Sequence, residues 1–268
     1  MHKGRRLNIT ALFLLFAWTI SSCEDNNPGD GGNNKTDDSK FELQLSFNGQ
    51  IDNEPLPPVG QSVFKTKYGD ELFMITNWAM IFSDLALVTE DDDTVRLGDG
   101  YQWVDLRYNR NKFTYKGIPK QRYKGIQFTM GLDSAVNHGD PSVWAADHPL
   151  NPLMNGLHWG WSGGYIFQAM DGRYKVHEDS FAYGFSYHTA TMQFVTRYFL
   201  PLEEDLSGDK HHIAVNINAD RFFGNASLNE GILFADDPVS HSEGDHEEEA
   251  MRKFLDHSLY GFRVNLVE

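Results

Sequence analysis

From Phe41 the chain alternates apolar and polar residues. FELQLSF (41–47) puts Phe41, Leu43, Leu45 and Phe47 on one face of an extended strand, with polar residues between them. NWAMIFSDLALVT (77–89) is a longer apolar run that stops at the acidic turn EDDD. YQWVDL, FTYKGI and KGIQFTMGL follow, divided by Gly, Asn and Pro, and GGYIFQAMDG and AYGFSYHTATMQFVTRYFL continue the pattern. HIAVNINADRFF (212–223) sets Ile213, Val215 and Ile217 on one face. Only one stretch changes period. Asp245, with Glu248 three residues on, opens EEEAMRKFLDH, where Ala250, Met251, Phe254 and Leu255 form a helical stripe. YGFRVNLV (260–267) then reads as a last strand. Many short strands with turns at this spacing predict an all-β chain. It is expected to fold as an antiparallel β-sandwich of the immunoglobulin or cupredoxin kind, with long loops and one short C-terminal helix. The sandwich is expected over 41–236, with 237–268 adding the helix and last strand to the same domain.

The first 40 residues have a different character. Lys3, Arg5 and Arg6 precede the apolar run ALFLLFAWTI (11–20), which is shorter than the ~20 residues a membrane span needs. TISSC then ends at Cys23, the only cysteine of the chain. This reads as a lipoprotein signal peptide over 1–22, with lipidation at Cys23. The competing reading is an ordinary signal peptide with an incidental cysteine. Residues 23–40 are an acidic, flexible tether with nothing able to anchor a core. Cleavage would leave 20 Lys and Arg against 38 Asp and Glu, a net charge of −18. Such a surface repels phosphate backbones, so nucleic acid is not an expected partner. A lipidated Cys23 also removes thiol catalysis, disulfides and cysteine-held metals, so any metal must find other donors.

NGLHWGWSGGYIF (155–167) stands out chemically. If it is extended, Trp159 and Trp161 share one face while His158 and Gly160 take the other, before the pair Gly163-Gly164. Among the other histidines, His246 and His257 lack the HExxH pattern, since Ala250 stands at the second His position, and both read as part of a solvated charged helix. His211 and His212 are strand neighbours on opposite faces and cannot readily chelate together. His138 and His148 lie in the long loop 137–155 and are expected to face water. His188 lies within a strand on the face of Ser186 and Ala190, opposite Phe185 and Tyr187. No P-loop or GxGxxG is present, and no pair of acids can be picked out to suggest catalysis.

Taken in order, MGLDSAVN (130–137), PLNPLMNGL (149–157), HWGWSGGYIFQAMDG (158–172) and FSYHTA (185–190) resemble the MbnP-like copper-binding proteins. The likeness covers roughly 41–224, and its W-x-W-x-x-G-Y-x-F block is the specific part. It implies a secreted β-sandwich that handles copper. It also implies a tryptophan oxidised to kynurenine by a dihaem cytochrome c peroxidase-like partner, with histidines completing a site for one copper ion. A TonB-type receptor is the second partner implied. On that basis His188, His158, Trp159 and Trp161 are the candidate metal residues, while Asp133 and Asn137 brace the loop. The chain departs from the pattern at Phe47-Asn48-Gly49, where many members carry F-x-H. It also has Leu157, Thr189 and Ala190 where Met, Leu or Ile, and Gly are usual.

The expected role is a lipid-anchored, non-enzymatic copper-binding protein of the outer membrane, on its periplasmic face or the cell surface. The alternative is a surface lipoprotein that binds glycan or protein without a metal, since adjacent exposed aromatics also stack on sugar rings.

Overall fold

The computed structural model describes residues 39–66, 71–160, 163–176, 181, 183–202, 206–225, 230–236, 238–240 and 245–267. The signal peptide, Cys23 and nearly all of the tether lie outside the described residues, as does Trp161. Nine strands build the frame: β1 (Lys40–Ile51), β2 (Glu71–Thr89), β3 (Lys112–Pro119), β4 (Tyr123–Met130), β5 (Gln168–Val176), β6 (Tyr183–Thr189), β7 (Thr196–Pro201), β8 (Lys210–Asn218) and β9 (Phe262–Leu266). One sheet runs β9-β8-β1-β3. The other runs β7-β4-β2-β5-β6, and shorter strands add to β2.

The sandwich is the expected one, and most pairings are antiparallel. Two are parallel: β1 beside β8, where Leu45 faces Ile213, and β6 beside the two-residue strand Val239–Ser240. The sheets meet through aromatic side chains. Phe47 on β1 stacks on Phe82 of β2 at 5.0 Å, and Phe262 on β9 reaches Phe128 of β4 at 5.5 Å. Phe41, Leu43, Leu45 and Phe47 are all buried, as the alternation demands, and so are Ile213, Val215 and Ile217. Each such side chain taken from water contributes about 1.5–3 kcal/mol. The predicted strand 212–223 ends earlier than its apolar content suggests: the backbone turns into a short helix at Ala219–Phe222, which buries Phe222.

The C-terminal helix α1 (Asp245–Ser258) forms where its period predicts. Ala250, Met251, Phe254 and Leu255 are buried, and Phe254 stacks on Tyr187 of β6 at 5.0 Å. Thr189 on the same strand donates its hydroxyl to Met251 Sδ. The helix therefore covers the inner face of β6 and leaves its other face for polar residues. His257 corrects the reading of this helix as a wholly solvated charge run, because it is only 2% exposed. The side chain of His246 lies outside the described residues. Among the described residues no helix is long and apolar enough to cross a membrane.

Candidate functional site

The outer face of β6 carries His188. Phe185, Tyr187 and Thr189 turn inward and are buried, so Ser186 and His188 turn the other way. The neighbouring strand β5 brings Asp171 directly opposite Ser186, and on its far side Asp171 lies opposite Asn77 of β2. Asp171 Oδ1 receives His188 Nε2–H at 2.8 Å and the Ser186 hydroxyl at 2.6 Å, while its Oδ2 accepts from Asn77 Nδ2 at 2.8 Å. Burial alone would raise the Asp171 pKa. The bonds from His188, Ser186 and Asn77 outweigh it and hold the value down to about 2. An acceptor-only carboxylate on Nε2 fixes the proton there, which puts the lone pair of a neutral His188 on Nδ1.

The stretch 155–167 approaches this face as a loop. Its glycines depart from an extended strand: Gly160 has φ +100° and Gly164 φ +67°, and Gly164 N–H donates to Gly160 O at 3.1 Å, which closes a turn. His158 and Tyr165 pair across the base of this turn, and Trp159 N–H donates to Gly164 O. The glycine pair provides close approach. A Cβ on Gly163 would lie 2.8 Å from Trp159 Cβ. Trp159 itself is 40% exposed, with its ring centroid 6.3 Å from that of His188. Trp161 lies outside the described residues, so the shared face of the two indoles has no counterpart in the geometry.

His158 sits beside Trp159 but in a different setting. Its ring meets Tyr165 edge-on at 4.5 Å, and its Nδ1 accepts the Gly160 N–H at 2.9 Å. Burial lowers its pKa, so it stays neutral at neutral pH, with its proton on Nε2.

The loop is braced from below. Asp133 Oδ1 accepts the N–H groups of Ala135 and Val136, capping a short helix at Ser134–Asn137. Asn137, fully buried, accepts the Tyr165 N–H at 2.8 Å. Tyr165 donates its hydroxyl to Leu150 O at 2.6 Å, and Phe167 is pinned by Thr189 O and Ile81 N. The long segment 137–155 is not featureless. It holds further helical turns at Pro141–Val143 and Pro152–Asn155, capped by Asp140 and Asn151.

His148 departs from its expected place in water. Its ring stacks on Trp144 at 4.2 Å, its Nδ1 accepts the Leu150 N–H, and its Nε2 donates to Asp99 at 2.7 Å. Both ring nitrogens are engaged in holding the loop. His211 and His212 diverge as the alternation requires, toward Phe41 and Ser46 respectively. Asp171, Ser186 and Asn77 are the site residues that sequence reasoning missed. Among the described residues, no three His, Cys, Asp or Glu side chains gather closely enough to hold a metal.

A family model described as MbnP matches residues 40–242. A solved structure, MbnP from Methylosinus trichosporium, is similar at 14% sequence identity and a TM-score of 0.48, over 85% of this chain and 99% of that one. No curated protein matches.

Proposed function

As the chain belongs to the MbnP family, we propose that it is an extracytoplasmic copper-binding protein, lipid-anchored at Cys23 in the outer membrane, whose metal site forms around His188 and Trp159. The observation that carries this reading is the His188–Asp171 pair. Imidazoles that ligate metals characteristically donate their second N–H to a carboxylate, which sets the tautomer and raises the basicity of the ligating nitrogen. Here Asp171 is itself held by Asn77 and Ser186, so the imidazole is oriented before any ion arrives. Imidazole suits copper among the first-row metals.

One imidazole is an incomplete site, and this chain has no histidine at the F-x-H position of its first strand. The donor set therefore needs a member of another kind. Native indole N–H is a donor only. Oxidative cleavage of the Trp159 indole C2–C3 bond adds two oxygen atoms, and hydrolysis then releases the C2 carbon as formate. The kynurenine left has a net loss of one carbon and gain of one oxygen and exposes an aniline amine with a lone pair near His188. The oxidant required is an external one, a dihaem cytochrome c peroxidase-like partner, and the exposure of Trp159 leaves it accessible to such an enzyme. His158 can join as a neutral imidazole if its Nδ1 gives up the Gly160 N–H. The role proposed is copper acquisition or handling, with a TonB-type receptor as the route across the outer membrane.

The decisive experiment is metal analysis of the protein purified from its own host, where the modifying partner is present. One copper per chain, lost in His188→Ala, is the expected result. Wild-type protein from that source without copper, or a His188→Ala variant with undiminished copper, overturns the proposal.

A further inference from the structure

On the other sheet, a cavity of about 320 Å³ opens where β1 turns into the next segment. It shares no residue with the His188 face. Its size lies at the low end of small-ligand pockets, about 300–1,000 Å³. Five neutral amides line it: Asn48, Gln50, Asn109, Asn111 and Asn216. No charged side chain lines it, although the chain as a whole carries a net charge of −15. The opposite wall is apolar and stiff, made by the run Pro55-Leu56-Pro57-Pro58-Val59 together with Leu106. At its floor Gly49 has no side chain, and a Cβ there would come within 3.0 Å of both Leu56 and Leu106.

The amides are oriented. Asn111 Nδ2 donates to Phe47 O at 3.0 Å, and Asn48 Nδ2 donates to Asn216 Oδ1 at 3.3 Å. Asn216 Nδ2 in turn donates to Asn265 Oδ1 at 2.6 Å. With those N–H groups engaged, the carbonyl oxygens of Asn48 and Asn111 remain as hydrogen-bond acceptors. The side chains of Gln50 and Asn109 can both donate and accept.

We propose that this cavity is a binding site for a neutral saccharide unit. The lining offers no counter-charge, which favours an uncharged ligand. Hydroxyl groups satisfy amides in both senses, and the C–H face of a sugar ring fits the proline–leucine wall. The turn that supplies Leu106 and Asn109 also carries Tyr108, 66% exposed, with the Arg107 guanidinium over one face of its ring at 4.3 Å. This site is independent of the copper reading.

The test is titration calorimetry of the purified chain with maltohexaose, cellohexaose, xylohexaose and mannohexaose, with polygalacturonate as an anionic control. Saturable binding of at least one neutral oligosaccharide is expected. It should weaken about tenfold in Gln50→Ala and in Asn109→Gly, and stay unchanged in His188→Ala. Asn109 has φ +54°, so glycine there keeps the turn while removing the amide. Thermal melts equal to wild type establish that the two pocket variants are folded. No binding of any neutral oligosaccharide, preference for polygalacturonate, or binding that survives both pocket substitutions would each overturn the proposal.

Discussion

Asn137 and Gly164 meet so closely that no side chain fits between them: a Cβ on Gly164 would lie 2.8 Å from the Asn137 amide atoms. This contact joins the loop floor to the turn that carries Trp159. Asn137 is held in place by the helix that Asp133 caps, and it spends its own oxygen on the Tyr165 N–H.

Gly164→Ala should therefore be costly in two ways. Its φ of +67° penalises any Cβ by about 1 kcal/mol, and the collision with a buried amide adds about 2 kcal/mol more. Gly156 is the internal control. Its φ is +66°, but nothing lies within 4 Å of its missing Cβ. Gly156→Ala should cost only about 1 kcal/mol. Chemical denaturation of the two variants separates the terms, and equal losses would mean that the Asn137 contact is not a close one in solution.

Asp171 makes a prediction about pH. Its pKa in the folded protein is held down to about 2, below its ordinary value of about 3.8. A carboxylate depressed by folding stabilises the native state fully above its unfolded pKa, and that contribution is lost as pH falls through the folded one. Asp171→Asn should thus lower the melting temperature at neutral pH, and the gap to wild type should close between about pH 4 and pH 2. A gap that stays constant across that window would show that the His188–Ser186–Asn77 network does not act through the ionised carboxylate.

These relationships mark how far the sequence could be read. Strand periodicity placed Phe41 to Phe47, Ile213 to Ile217 and the outward face of His188, because burial on a sheet has a period of two and needs no partner to be known. Asp171 was hidden because its partners are fixed by strand register: His188 is 17 residues away along the chain and Asn77 is 94. The same holds for His148, whose indole, carboxylate and backbone partners come from two separate segments. The shared face read from the W-x-W spacing involves Trp161, outside the described residues, while Gly160 beside Trp159 has φ +100° rather than a strand's backbone. What the spacing did carry was the family, and with it a reason to look at this face.

Removal of His148 and of His188 should differ in its effect on copper. His148→Ala loses the stack on Trp144, the Asp99 bond and the cap on Leu150, so it should cost about 2 kcal/mol of stability while copper binding persists. His188→Ala should cost about 1 kcal/mol, because Asp171 loses one of its donors, and should weaken copper binding by at least about tenfold. Copper titration followed by a thermal melt on each variant reads both quantities. The reverse pattern would move the metal site into the loop.

Cys23 is tested by fractionation. The proposed lipid anchor predicts that the full-length protein expressed in its host sediments with membranes and that Cys23→Ala appears in the soluble fraction. A variant that remains with the membrane would mean that something other than a lipid on this cysteine holds the protein there.

The geometry that links Trp159 to His188 makes Trp159 testable as the modified indole. A kynurenine amine contributes to a metal site only if it can reach an ion that the imidazole also reaches. Trp159 has its ring 6.3 Å from that imidazole, a span that an ion between two nitrogen donors can bridge. It is also 40% exposed, while Gly163 packs against its Cβ and keeps the base of the side chain in place. Oxidation is therefore expected at Trp159. Peptide mass spectrometry of host-purified protein over residues 155–167 should find a species with one carbon lost and one oxygen gained, and fragmentation should assign it to Trp159. Trp159→Phe should abolish that species and weaken copper binding about tenfold or more. If the modified residue proves to be Trp161, the donor geometry proposed around His188 is wrong in its partner. If both indoles are intact in protein that still binds copper tightly, the site is made by imidazoles without a modified tryptophan.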